Sequence, residues 1–207
     1  MKFLLVGNGN SLSKAKMRAL KKGRKLIVLD GGLALAHKYG LKPDFIIGDM
    51  DSAPAKLLTL YARKKTCCII TLVDQNTTDL EKGILHAILQ GASDIVIVAV
   101  HGERTDHSLG AFSVLKKFHH PEVKLTIHTE KEIIFYVQNC VFSVAKNAGN
   151  FLAIFPFSTA RVLSKGLKYE LKNTTLEWGK NESVANEIIG AKAKLKISGA
   201  ALVIQRS

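Results

Sequence analysis

The sequence predicts an α/β protein in two parts: a Rossmann-like parallel sheet with helices on both faces over residues 1–129, and an all-β sandwich over residues 130–207. Three observations carry that expectation. Short apolar runs alternate with helical patterns through the first part, which is the grammar of parallel strands joined by crossover helices. Polar residues and glycines, rather than more apolar ones, stand at the C-terminal end of nearly every one of those runs. From about residue 130 no helical period persists, and short apolar runs follow one another between Gly, Asn, Lys and Ser, as in a sandwich.

Taken in order, Lys2 to Val6 reads as a first strand, and Gly7-Asn8-Gly9-Asn10-Ser11 as a turn into a basic helix over 12–22. The turn is like a dinucleotide fingerprint, but Leu12 stands where the third glycine belongs. Lys25 to Leu29 is a second strand closed by Asp30-Gly31-Gly32, with a helix from Leu33 to Tyr39 and Gly40 as its C-cap. Phe45 to Ile47 is a buried strand leading into Gly48-Asp49-Met50-Asp51-Ser52. A helix over 55–65 and a strand from Cys67 to Val73 follow. Thr78 and Glu81 have capping-box spacing for a helix over 79–90, with Leu80, Ile84, Leu85, Ile88 and Leu89 as its apolar face. Ile95 to Val100 is a strand, 107–118 a helix and Val123 to Ile127 a strand. The β part is read as the short strands 133–137, 141–144, 151–156, 160–163, 183–189 and 201–204.

Composition bounds the partners. Thirty Lys and Arg stand against 17 Asp and Glu, a net charge of +13. Residues 1–125 hold 19 basic and 11 acidic residues and 126–207 hold 11 and 6, so the excess is spread over both parts. Anionic partners are favoured, phosphorylated small molecules before nucleic acid, because RNA-binding aromatic motifs, an Arg-rich arm and zinc-finger spacing are missing. Cys67, Cys68 and Cys140 have no metal-ligand spacing and read as buried small hydrophobes of a reducing, cytoplasmic compartment. The apolar opening is too short for a signal peptide, and no run has membrane-spanning length.

The chemistry gathers at the strand ends, where open parallel sheets bind ligands. Asp49 and Asp51 leave one strand at i, i+2, and Asp30, Asp74, Asp79, Arg104 and Asp106 leave others. Paired carboxylates suit a hard divalent cation such as Mg²⁺ bridging phosphates, while an acidic turn capping the helix at Ala55 is the plain alternative. Lys82 falls in the first turn of its helix, where a cation is unfavourable unless an anion is near. Together these groups suit phosphoryl transfer without a Walker A loop.

Four of these motifs resemble the thiamine pyrophosphokinase family in order and spacing. They are Asp30-Gly31-Gly32, Gly48-Asp49-Met50-Asp51-Ser52, Asp74-Gln75-Asn76-Thr77-Thr78-Asp79 with Lys82, and Gly102-Glu103-Arg104-Thr105-Asp106-His107. The C-terminal part adds Gly166-Leu167-Lys168-Tyr169, the run from Leu176 to Gly179, Ser183 and Asn186-Glu187. The resemblance implies a homodimer that transfers the diphosphate of ATP to the hydroxyl of thiamine and releases AMP. It implies that Asp49, Asp51 and Asp79 bind Mg²⁺, that Asp30, Gly31, Ser52, Gln75, Lys82 and Arg104 handle the nucleotide, and that Asp106 lies near the reacting hydroxyl. Thiamine would touch Tyr169, Ser183 and Asn186, an aromatic face suiting a flat cationic heterocycle. Trp178 falls at a position that looks like core. Two departures stand out: Leu33-Ala34 where the family has Ala-Asn, and Ala99 and Glu103 where glycines are common. The rival readings are a diphosphokinase for another alcohol, such as a hydroxymethylpterin, and a non-enzymatic basic binding protein.

Overall fold

The computed structural model describes residues 1–64, 67–74, 76–102, 104–145 and 151–206, and divides into two compact units, 1–130 and 131–207. In the first, β1 (Lys2–Val6), β2 (Lys25–Leu29), β3 (Phe45–Gly48), β4 (Cys68–Thr71), β5 (Asp94–Val98) and β6 (Lys124–His128) form a parallel sheet in the order β6-β5-β1-β2-β3-β4. The chain winds outward from β1 to β4, then returns to lay β5 on the other side of β1. That reversal makes the β1–β5 junction the topological switch point, where an open sheet leaves a crevice beyond its C-terminal edge.

Helices cover both faces, as the unbroken apolar strands require. α1 (Lys14–Lys21), α2 (Gly32–Tyr39) and α3 (Ala55–Lys64) pack over Leu4, Val6, Leu26, Val28, Ile46 and Val96. α4 (Asp79–Leu89) lies on the other face, so close that a Cβ at Gly83 would meet the Leu29 side chain at 2.5 Å. α5 (Thr105–Lys117) is tied to it by Lys117 Nζ, which donates to Glu81 Oε1 at 2.5 Å. Fully buried side chains such as Phe3, Leu4, Leu5 and Ile27 contribute about 1.5–3 kcal/mol each.

The capping box of α4 is formed: Thr78 Oγ1 accepts from Glu81 N, and Glu81 Oε2 accepts from Thr78 N. Its buried face differs from the expected one. Gly83, Ile84 and Ala87 are buried, as are Glu81 and Lys82, whereas Leu85 and Leu89 are exposed. The helix sits so close to the sheet that small residues, not leucines, fill the contact. Cys67 and Cys140 are half-buried as small hydrophobes can be, but Cys68 opens β4, the edge strand, and is exposed.

The second unit is all-β, with fewer and longer strands than the apolar runs suggested. β7 (Glu132–Ala145), β11 (Lys192–Arg206) and β8 (Phe151–Lys165) are antiparallel neighbours, and β8 also pairs with β9 (Thr174–Glu177) and β10 (Ser183–Glu187). Runs expected as separate strands are joined because the breaks between them are bulges. Asn139, in the left-handed region at φ 45°, accepts from Gly199 N through Oδ1 at 2.7 Å, just where the β7–β11 register shifts. Bulges of this kind bend a strand without ending it. Leu152, Ile154, Ala160, Val162, Leu195 and Ile197 then line one core. Trp178 is not part of it: the ring is 58% exposed and leans on Phe155 at 6.0 Å.

His128, at the end of β6, generates a prediction. Burial, helped by the charges of Lys16, Lys124 and Arg24, holds it at about 4, below its ordinary 6.5, so the folded state resists a proton that the unfolded chain accepts. Stability should therefore fall as pH drops from about 6.5 to about 4. His128→Asn should flatten that limb of a Tm-against-pH curve; an unchanged slope would show that His128 does not set it.

Candidate active site

The C-terminal edge of the sheet is built by turns that hold their shape through strained backbone. Asp30, Met50 and Ala99, which follow β2, β3 and β5, all have positive φ, at 36°, 68° and 56°. Such conformations cost about 1–3 kcal/mol each and persist only where the surroundings enforce them. Here neighbouring turns do so. Gly9 N donates to Ala99 O at 2.6 Å and Asn10 N to His101 O at 2.7 Å, joining the turn after β1 to that after β5. Ser52 N and Ala53 N donate to the two oxygens of Asp30 at 3.1 and 3.0 Å, joining the turns after β2 and β3.

Within this frame Asp30, Asp49 and Asp79 each bring a carboxylate oxygen within 4.8 Å of the others. Asp51 adjoins them: its backbone N–H donates to Asp49 Oδ1 at 3.3 Å, and its Oδ1 accepts from Ser52 Oγ at 2.9 Å. Asp30 is buried, and its carboxyl is pushed up first by that burial and then by Asp51 and Asp79, against the Ser52 N–H. The exposed Asp51 is pulled down, chiefly by the Ser52 hydroxyl. The edge of the sheet thus carries concentrated negative charge. Lys82, buried on α4, answers part of it by donating from Nζ to Asp79 Oδ1 at 3.1 Å. All the donors are hard oxygens, the set that Mg²⁺ takes.

At the end of β5, Arg104 and Asp106 form a two-pronged pair, Nε to Oδ1 at 3.2 Å and Nη2 to Oδ2 at 2.5 Å. Both are exposed, and the guanidinium holds Asp106 down at about 2. Asp74 is occupied by its own turn, accepting from Asn76 and Thr77. The open cavity of about 700 Å³ lined by Lys25, Asp44, Phe45, Cys67 and Cys68 lies toward the opposite, N-terminal ends of β2–β4. The converging carboxylates, not that cavity, are where charged chemistry can occur.

In the second unit, Asn186 is buried, with its carbonyl oxygen accepting from Tyr169 N at 3.1 Å and Glu187 N at 2.9 Å. Its amide donates to Tyr169 O at 2.8 Å. Asn186 therefore pins the loop that carries Tyr169, leaving the Tyr169 ring 63% exposed beside Lys168 Nζ, 5.7 Å from its centroid. Ser183 is half-buried at the start of β10, next to the bulge at Ala185.

Comparison with known proteins decides the family. Residues 17–127 match the model of the thiamin pyrophosphokinase catalytic domain, and residues 139–203 that of the thiamin pyrophosphokinase vitamin B1 binding domain. The chain belongs to the thiamine pyrophosphokinase family. Among its relatives, thiamine pyrophosphokinase 1 of Arabidopsis thaliana is 31% identical over 76% of this chain, which there spans 62% of the relative's length. Thiamin pyrophosphokinase 1 of Caenorhabditis elegans is 26% identical over 94% of this chain and 84% of its own. The fold is that of the Bacillus subtilis thiamine pyrophosphokinase, with a TM-score of 0.88 at 20% identity over 100% of this chain and 99% of that one.

Set on this thiamine pyrophosphokinase frame, the residues singled out in the sequence fall into three groups. Asp30, Asp49, Asp51, Asp79, Lys82 and Ser52 come together, with Asp30, expected on the nucleotide side, completing the carboxylate trio with Asp49 and Asp79. Arg104 and Asp106 face each other. Tyr169, Ser183 and Asn186 belong to the second unit, and Gln75 and Glu103 lie outside the described residues. Gly31 stands where Asn8 approaches: a Cβ there would lie 2.5 Å from Asn8 Nδ2 and 3.3 Å from Ser52 Cβ. Asn8 lies on the turn after β1, which the glycine pattern of the sequence marks.

Gly48 makes the cluster possible. A Cβ there would sit 2.8 Å from Asp30 Cβ and 3.3 Å from Asp79 Cγ, displacing two of the three carboxylates. Misplacements of about 1 Å at a reacting centre cost ~10²-fold in rate. Gly48→Ala should reduce turnover by roughly that factor. Gly110→Ala on α5, whose Cβ meets nothing within 4 Å and whose φ is not positive, should retain turnover. Equal turnover of the two variants would contradict the role given to Gly48.

Proposed function

We propose that this chain transfers the diphosphate of ATP to the hydroxyl of thiamine, giving thiamine diphosphate and AMP. The observation that carries the reading is the convergence of Asp30, Asp49, Asp51 and Asp79 at one sheet edge, in a chain that matches both a catalytic and a vitamin B1 binding family model. In the transfer the thiamine hydroxyl oxygen bonds to the β-phosphorus, the bond from that phosphorus to the α,β-bridging oxygen breaks, and AMP leaves with that oxygen. The hydroxyl proton is released as the bond forms.

The carboxylate set fits Mg²⁺, with Asp49, Asp51 and Asp79 or Asp30 as its holders. When bound, the ion supplies charge neutralisation for the phosphate oxygens. The protein's own groups do the rest. Lys82, already beside Asp79, would turn to the transferring phosphates, and Arg104, released from Asp106, would do likewise. Freed from that pair, Asp106 would accept a hydrogen bond from the thiamine hydroxyl and aim its oxygen. Gly31 and Ser52 would line the nucleotide side, and Gln75 would join them. Tyr169 offers a ring face to the cationic heterocycle, held in place by Asn186, and Ser183 a hydroxyl to the edge of the pyrimidine. We take the working form to be a homodimer whose subunits share each site, as the family resemblance implies. The free thiols Cys67, Cys68 and Cys140 support a cytoplasmic setting. Among the described residues, no helix is long and apolar enough to cross a membrane.

The test is AMP release from Mg-ATP with thiamine, with a pterin alcohol and with neither. AMP formed only with thiamine, alongside a product of the mass of thiamine diphosphate, is the expected result. AMP formed only with the pterin would retain the chemistry and discard the substrate. Ser183→Ala should raise the KM for thiamine several-fold, about one lost hydrogen bond, and leave the KM for ATP unchanged. A change confined to ATP would contradict the placing of thiamine.

A further inference from the structure

The turn after β1 carries an unclaimed carboxamide. Asn8 is exposed, and its side chain has no hydrogen-bond partner among the described residues. Its place is nevertheless fixed. Gly7 N donates to Val98 O at 3.0 Å, Gly9 N to Ala99 O at 2.6 Å and Asn10 N to His101 O at 2.7 Å. The chain on both sides of Asn8 is thus tied to β5 and the turn beyond it, while the Asn8 side chain lies over Gly31, past the end of β2.

Gly31 shows what that placement requires. At φ −56° its backbone suits an ordinary residue. A Cβ there, however, would lie 2.5 Å from Asn8 Nδ2, 2.9 Å from Asn8 Cγ and 3.3 Å from Ser52 Cβ. Glycine is needed for the space that the carboxamide takes. The same contact puts the amide at the rim of the carboxylate cluster, because Ser52 N donates to Asp30 Oδ2 at 3.1 Å and Ser52 Oγ to Asp51 Oδ1 at 2.9 Å.

We propose that Asn8 is a further nucleotide-binding residue, donating from Nδ2 to a phosphate oxygen of ATP, and that Gly31 serves by leaving room for it. The inference rests on the diphosphokinase reading, which puts the nucleotide beside Gly31 and Ser52, and it adds a contact that reading does not contain. A phosphate fits this place better than the base does. A cation on the carboxylates brings phosphate oxygens to their rim, and Gly31 and Ser52 offer no ring on which a base could stack. The residue type fits as well. A lysine here would be drawn onto the four acids, whereas a carboxamide donates without charge and stays available to the ligand. Hydrogen bonds to an ionised acceptor are roughly twice as strong as neutral ones, and a donor fixed before the ligand arrives needs no reorganisation.

The experiment measures, by calorimetry on the full chain with Mg²⁺ present, the binding of a non-hydrolysable ATP analogue and of inorganic tripolyphosphate. Asn8→Ala should weaken both ligands about ten-fold and raise the KM for ATP to match. The KM for thiamine should stay as in the wild type, and so should the Tm, because the side chain is exposed and unpaired. Gly31→Ala displaces the amide and should cost as much as Asn8→Ala. In the double variant the two losses should not add, since Gly31 acts through Asn8. Should Gly31→Ala unfold, the comparison of Asn8→Ala with the wild type decides alone. Equal binding of both ligands by Asn8→Ala and wild type would overturn the proposal. So would losses that add, a loss for the ATP analogue without one for tripolyphosphate, or a KM change confined to thiamine. A wild-type chain that binds neither ligand would overturn the diphosphokinase reading, and this contact with it.

Discussion

Mutual repulsion among four carboxylates is the constraint on which the first unit depends. Asp30, Asp49, Asp51 and Asp79 are delivered by the ends of three different elements, and the folded chain must hold them together before any cation arrives. It does so with local means. The oxygens of Asp30 are capped by two backbone N–H groups, Asp51 by the Ser52 hydroxyl, and Asp79 by the ammonium of Lys82. Burial of Asp30 raises its affinity for a proton. A site held in this way is organised for a ligand that replaces the repulsion with attraction.

The sheet supplies rigidity for that arrangement. β1 and β5 are apolar on both faces and buried, so their C-terminal ends cannot shift without opening the core. The turns beyond them are joined by backbone hydrogen bonds, and positive φ angles at Asp30, Met50 and Ala99 mark where the chain is bent out of its preferred range. In the second unit the same logic recurs with a side chain: Asn186 replaces missing backbone pairing and leaves the Tyr169 ring free. Rigid strands carry the polar turns in the first unit, and a pinned loop carries the aromatic face in the second.

Much of this was legible in the sequence because strand ends in parallel sheets are marked by abrupt changes from apolar to polar residues. The strands, the capping box of α4 and the acids at Asp49, Asp51 and Asp79 were found that way. What the sequence concealed follows from packing and register. Leu85 and Leu89 fit a helical apolar period, yet the close approach of α4 at Gly83 turns small residues to the sheet. The long strands β7 and β8 look broken at residues 138–140 and 157–159, where bulges bend them, and the first half of β11, with lysines at alternate positions, does not read as a strand. Trp178 stands at a motif position that looks like core, but it follows the short strand β9, which pairs with β8, and is exposed. The place of Asp30 beside Asp49 and Asp79 depends on the β2–β3 pairing, which spacing along the chain does not encode.

The central claim is that these carboxylates form one divalent-cation site. The most direct measurement is a titration of the purified chain with Mn²⁺ in the presence of a non-hydrolysable ATP analogue, followed by electron paramagnetic resonance. The account predicts saturable binding that Mg²⁺ displaces and that Asp49→Asn or Asp79→Asn weakens by ten-fold or more, about 1.4 kcal/mol, with the circular dichroism spectrum unchanged. Binding of the same strength in both variants would contradict it.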